Sequence, residues 1–267
     1  MKTIAILSSV GGAGRTMLTA ALAGLLAVRK HPVLAVECDP ANVLGLYGGA
    51  SDPPRRGLAS YVTAEGDGGD AALEGEDGVL WLPWGGAGDD GRGPDAAQAA
   101  AIDSILHGQR FWLRDLLSRV DLPANGVVLV DTAAWPSIHA SQAIDAAHLV
   151  LVVVPPQPLA CATLPRLRAE LAARNKATLY VANAVSPALQ LHTDILVLLR
   201  NLLGATLSPY RIHADAGVPE ALARNENFCV SAPHSQAAHD MQGLASWLSS
   251  WATSEARRTV AAAGGAS

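Results

Sequence analysis

Ser9-Val10-Gly11-Gly12-Ala13-Gly14-Arg15-Thr16 follows the apolar run Ile4 to Leu7 and opens onto the helical stretch Met17 to Leu26, and this segment decides the fold. A strand, a glycine-rich turn and a helix start in that order form an anion cradle. The glycines let backbone N–H groups converge, and the helix dipole favours negative charge. Three glycines alone make only a tight turn. Their register with the strand before them and with Thr16 and a helix after them points to phosphate. Thr16 stands where a P-loop carries its magnesium-ligating hydroxyl, and Arg15 stands where the phosphate-binding lysine is expected.

Working outward, half of the 267 residues are hydrophobic and 16% are charged, which supports a large core and excludes global disorder. The alternation of strand and helix signals predicts an α/β chain with a mostly parallel twisted sheet and helices on both faces. We expect one domain over 1–252, with a Gly/Asp-rich insert at 51–94 and a frayed tail at 253–267. A net charge of −5 argues against a general nucleic-acid coat. Cys38, Cys161 and Cys229 are too scattered for a disulfide framework or a thiolate metal site. The apolar run near the N-terminus is too short for a signal peptide or membrane span, so the expected location is cytoplasmic.

After His31-Pro32, the run Val33 to Val36 ends in Glu37-Cys38-Asp39-Pro40. Carboxylates at the C-terminal end of a strand beside a phosphate loop would face the ligand, or else cap the turn before Pro40. The insert is expected to be loops around one strand, Val79 to Trp84. A long helical pattern follows from Ala96 to Val120, and then Val127 to Val130 closes with Asp131, in the Walker B position for holding magnesium through water. Leu149 to Val154 reads as another strand, and Ala177 to Ala182 as a further one that ends at Asn183. The amide there can read a base through paired donor and acceptor groups. A strand near Tyr210 to His213 and a last helix from about Ser235 to Trp251 complete the chain, the latter's apolar stripe reading as core rather than as a membrane anchor. His213-Ala214-Asp215 reads as a loop near the ligand. None of the eight histidines has metal-ligand spacing, so magnesium is the only metal expected.

Together these residues resemble the deviant Walker A ATPases of the MinD and ParA superfamily, whose loop pattern is x-K-G-G-x-G-K-[ST]-T. Val10-Gly11-Gly12-Ala13-Gly14-Arg15-Thr16-Met17 keeps the glycines and the hydroxyl but replaces both lysines. Glu37-Cys38-Asp39-Pro40 stands for the family's D-x-D-P, Asp131 for Walker B and Asn183 for its adenine-contacting asparagine. Leu82-Pro83-Trp84-Gly85, and Ile212-His213-x-Asp215 followed by Glu220-x-Leu222-Ala223, are similar to the BcsQ (YhjQ) type of cellulose biosynthesis protein. The resemblance implies a three-layer P-loop NTPase fold, ATP and Mg2+ as cofactors, and Asp39 as the water-orienting carboxylate. It implies nucleotide contacts from Gly11 to Met17, Asn183, His213 and Asp215, with Thr16 and Asp131 at the metal. It further implies a homodimer that docks on cytosolic cellulose synthase subunits, including a small BcsR-type partner, at the inner-membrane synthase, without nucleic acid. An active MinD- or ParA-like ATPase is the competing reading, and a phosphoryl-transfer ligase is another. An iron–sulfur reductase is excluded because no cysteine lies between Cys38 and Cys161.

Overall fold

Seven strands build the scaffold: β1 (Lys2–Leu7), β2 (Val33–Cys38), β3 (Leu73–Glu74), β4 (Leu80–Leu82), β5 (Val127–Thr132), β6 (Leu149–Val154) and β7 (Thr178–Ala182). The computed structural model of the chain describes residues 1–50, 54–63, 72–75, 77–86 and 94–264, and for 255–264 the backbone alone. One sheet runs in the order β3-β4-β2-β5-β1-β6-β7. Its pairs are parallel except β3 with β4. Residues of β2, β5 and β6 are buried throughout, which is why those strands read as unbroken apolar runs rather than alternating ones. In register, Ile6 and Glu37 both pair with Asp131, and Cys38 pairs with Thr132. The carboxyl ends of β1, β2 and β5 therefore finish at one level.

The helices are α1 (Arg15–Val28), α2 (Leu44–Tyr47), α3 (Leu58–Thr63), α4 (Ala96–Gly108), α5 (Trp112–Leu117), α6 (Ile138–Ala146), α7 (Pro158–Ala173), α8 (Gln190–Leu203), α9 (Gly217–Ala223), α10 (Phe228–Ser231) and α11 (Gln236–Gly264). α1 packs on β2 and β5 and is covered by α11, whereas α6 packs on β1, β2 and β5 beneath α4 and α5. The core is continuous from one helical layer through the sheet to the other.

Four expectations change. The pattern from Ala96 to Val120 is two helices, not one, with a break after Gly108. The break is held by buried Gln142 of α6, whose Nε2 donates to Leu106 O and Gln109 O at 2.9 and 2.8 Å while its Oε1 accepts from Leu113 N. The backbone groups freed at the break thus keep partners. Tyr210 to His213 is not a strand. The chain there meets the β7 side only through single bridges, Tyr180 to Leu207 and Val185 to His213, because Tyr210 N, which would continue a ladder after Ser208, donates to Ser208 Oγ instead. Nor are the flanks of the insert all loop. Leu58, Ala59 and Val62 of α3 are buried, and Leu58 N and Ala59 N donate to Pro83 O and Trp84 O. The stretches 66–70 and 87–91 lie outside the described residues. Finally, α11 continues past Trp251 to Gly264. Among the described residues no helix is long and apolar enough to cross a membrane.

Candidate nucleotide site

The loop after β1 is shaped by its glycines. Gly12 and Gly14 have φ of 66° and 89°, a region that L side chains rarely adopt. At Gly14 a Cβ would also collide with the Asn183 amide, whereas at Gly11 and Gly12 it would meet only open space, where the cradle opens outward. The first hydrogen bond of α1 runs from Leu18 N to Gly14 O at 3.0 Å. The amides of Arg15, Thr16 and Met17 thus precede the helix ladder and are available to an anion. Ala13 and Met17 are buried beneath the loop.

The Arg15 guanidinium is engaged by groups of the protein itself. Its Nε donates to Thr132 O at 2.7 Å and Nη1 to Val10 O at 2.9 Å, and Nη2 lies 3.7 Å from Asp39 Oδ2. One guanidinium thereby joins the loops that follow β1 and β2 to the end of β5. Its planar fork suits three separate acceptors in a way that an ammonium does not. Val10, where the resemblance expects a lysine, is 7% exposed and packs inward. Asp39 Oδ1 accepts Ala41 N at 3.0 Å, so this carboxylate is set by its own turn on one side and by Arg15 on the other.

Asp131 is fully buried, and its Oδ2 has no hydrogen-bond partner among the described residues. Burial raises its pKa to about 7, opposed by a hydrogen bond from Thr16 and by the charge of Arg15. Thr19 Oγ1 donates to Arg15 O at 2.9 Å and lies 3.5 Å from Asp131 Oδ1. An orphaned buried carboxylate oxygen next to a threonine at a helix start is a donor set suited to a hydrated divalent cation. No cluster of three or more His, Cys, Asp or Glu side chains that could hold a metal occurs among the described residues.

Asn183 Nδ2 donates to Ala13 O at 2.7 Å, which ties the end of β7 to the loop and uses one of the amide's two N–H donors. His213 joins this edge through its bridge to Val185 and is clamped by Asp240 of α11, which accepts His213 N at 3.0 Å and faces Nδ1 at 2.6 Å. Asp215 Oδ1 accepts Gly217 N and caps the turn into α9.

Glu37 does not face the ligand. It is 0% exposed; Oε1 accepts Val43 N and Leu44 N, and Oε2 accepts Trp84 N. Burial pushes its pKa to about 8 against those hydrogen bonds. Of the two expected carboxylates, Glu37 is a fastener for the loop after β2, and only Asp39 reaches the cradle. Sequence reading missed Thr19, although its place one turn beyond Thr16 puts both on one helix face. It also missed Asn42, whose buried amide joins Pro54 O and Gly85 N across 43 residues of chain and carries no motif signal.

The fold is shared with solved structures, some of which carry bound nucleotide. MinD from Pyrococcus horikoshii complexed with Mg-ADP aligns with a TM-score of 0.74 at 19% identity, over 92% of this chain and 95% of that one. Cobyrinic acid a,c-diamide synthase from Mycobacterium smegmatis with bound ADP and magnesium aligns with a TM-score of 0.73 at 17% identity, over 92% and 93%. The MinC:MinD cell division complex of Aquifex aeolicus contributes a chain with a TM-score of 0.72 at 16% identity, over 93% and 95%. A comparison with curated proteins finds no match. The family model of the cellulose biosynthesis protein BcsQ matches residues 1–248, which include every residue of the cradle described above, and on that match the chain belongs to the BcsQ family.

Proposed function

We propose that this chain is a magnesium-ATP-binding accessory subunit of a bacterial cellulose synthase complex, in which nucleotide acts as a switch or staple with little or no hydrolysis. The observation that carries this reading is the state of the two positions where the superfamily has lysines. Val10 is packed inward, and Arg15 is engaged by two carbonyl oxygens and Asp39. A positioned cation is worth roughly 10³–10⁵ in phosphoryl-transfer rate. Neither side chain offers one to a γ-phosphate, whereas the binding surface itself, made of amides, is intact.

In this reading the amides from Gly11 to Met17 receive the phosphates, and Thr16 and Asp131 hold the magnesium side. Asn183 Oδ1 accepts from an adenine amino group, which favours adenine over guanine, and His213 and Asp215 border the base. Bound magnesium ATP supplies a γ-phosphate whose presence the neighbouring loops can register, and Asp39 is the carboxylate placed to sense it. MinD of Pyrococcus horikoshii binds Mg-ADP and the Aquifex aeolicus relative assembles with MinC, which supports nucleotide binding and partner docking on this scaffold. Two copies would meet face to face around nucleotide. They would then engage cytosolic synthase subunits, including a small BcsR-type partner, and so reach the inner membrane peripherally.

Calorimetric titration with ATP, ADP and GTP in magnesium tests the first step, with adenine nucleotides expected to bind more tightly. No binding at millimolar nucleotide would sink the proposal. Sizing with and without ATP, with partner subunits present, tests the dimer; a strict monomer throughout would exclude it.

A further inference from the structure

Beyond the outer edge of the sheet, α8 and the segment after it enclose a recess of about 140 Å3 against the end of β7. Ala182, Leu196, Leu207 and Pro209 make its apolar lining, and Arg200 and Arg211 both contribute to its wall. Among the described residues neither guanidinium has a carboxylate or hydrogen-bond partner, unlike Arg110 and Arg174, which both converge on Asp145. Arginine is the side chain suited to paired recognition of carboxylates.

The neighbouring helix surface is apolar as well. Leu191, Val197 and Leu198 of α8 are 52%, 50% and 51% exposed, and Val197 stands three residues before Arg200, on the same side of the helix. The recess is smaller than the roughly 300–1,000 Å3 of small-molecule sites. It has the dimensions of one side chain, the form of a pocket that takes a single anchor residue.

We propose that this recess is a docking site for an acidic segment of a partner protein. One apolar side chain of that segment enters the recess, its flanking carboxylates pair with Arg200 and Arg211, and a further apolar residue lies on Val197. A protein segment fits better than an anionic membrane surface. The feature is concave and carries two cations rather than a broad basic face, Asp194 lies on the exposed side of the same helix, and the whole chain has a net charge of −5. The surface lies outside the cradle, and the proposal holds whatever that cradle binds.

Panning random dodecapeptides displayed on phage against the intact chain tests this. Enriched sequences are expected to carry Asp or Glu beside Leu, Ile, Val or Phe. By fluorescence anisotropy, the best peptide should lose more than about tenfold in affinity on the Arg200→Glu, Arg211→Glu double variant. A Lys-substituted version of the peptide should bind the double variant better than it binds the parent chain. The Arg200→Gln, Arg211→Gln pair, checked by melting temperature, serves if charge reversal impairs folding. Absence of an acidic-apolar consensus, or peptide affinity unchanged in both double variants, would overturn the proposal. So would cosedimentation with phosphatidylglycerol vesicles that disappears in the double variant while no peptide binds, since the arginines would then belong to a membrane contact.

Discussion

Replacing Arg15 by alanine separates two roles that its motif position confounds. The side chain makes two charge-assisted hydrogen bonds, at 2.7 and 2.9 Å, to carbonyl oxygens of Thr132 at the end of β5 and Val10 in the loop after β1. Bonds of that kind contribute about 1.5–3 kcal/mol each, so the pair is worth about 3–6 kcal/mol. The ion pair to Asp39 adds less at its 3.7 Å separation. For a chain of this size the melting temperature should fall by roughly 6–24 °C. Affinity for magnesium ATP should meanwhile change by less than about tenfold, because the amides of the cradle do not depend on the guanidinium for their direction. Differential scanning fluorimetry and calorimetric titration on one preparation give both numbers. An unchanged melting temperature with affinity weakened a hundredfold or more would show that Arg15 is a phosphate ligand after all, and would refute the reasoning.

Restoring both lysines, Val10→Lys with Arg15→Lys, should raise single-turnover ATP hydrolysis measurably above the parent. Hydrolysis by the parent at the rate of a stimulated MinD-like ATPase, lost in Asp39→Ala, would show the existing site to be catalytic. Thr16→Ala should abolish the magnesium-dependent part of nucleotide affinity, about tenfold or more, and leave the magnesium-free affinity unchanged in the same titration. Glu37 gives a pH signature. Its folded pKa of about 8 lies above its value of 4.5 in the unfolded chain, so the folded state holds the extra proton between those limits. Stability then declines as pH rises through that window, by a few kcal/mol in all. Glu37→Gln keeps an acceptor for the Val43 and Leu44 amides and should flatten the decline, as read from urea midpoints at about pH 5.5 and about pH 8.5.

The parts of this molecule that local chemistry governs were legible from residues alone. The run Val127 to Val130 ending in Asp131 reads as a strand buried on both faces, and the glycines from Gly11 to Thr16 read as a tight anion cradle. What the residues could not reveal depends on partners far along the chain. Glu37 and Asp39 look alike as acids at a strand end, yet three backbone amides draw one inward and Arg15 holds the other at the cradle. The break after Gly108 was hidden for the same reason. Its periodicity fits one helix, and the residue that stabilises the interruption, Gln142, belongs to α6. Asn183 was placed correctly at its strand end, but the commitment of its amide to Ala13 O is a contact across 170 positions that no spacing encodes.

The pairing of α1 with α11 bears on how the protein is made. α1 ends at Val28 and α11 begins at Gln236, and in the finished molecule Arg29 donates to Gln242 O and Ser246 Oγ while His31 meets Ser249 Oγ. At ~5–20 residues per second a ribosome delivers the covering helix roughly 10–40 s after the helix it covers. Throughout that interval the helix bearing the phosphate loop lacks its lid, and His213, once made, waits a further 27 residues for the Asp240 that fixes it. Nascent chains therefore carry the phosphate loop well before the helix that covers it. Those arrested short of Gln236 should be substrates for chaperones and proteases rather than partial nucleotide binders.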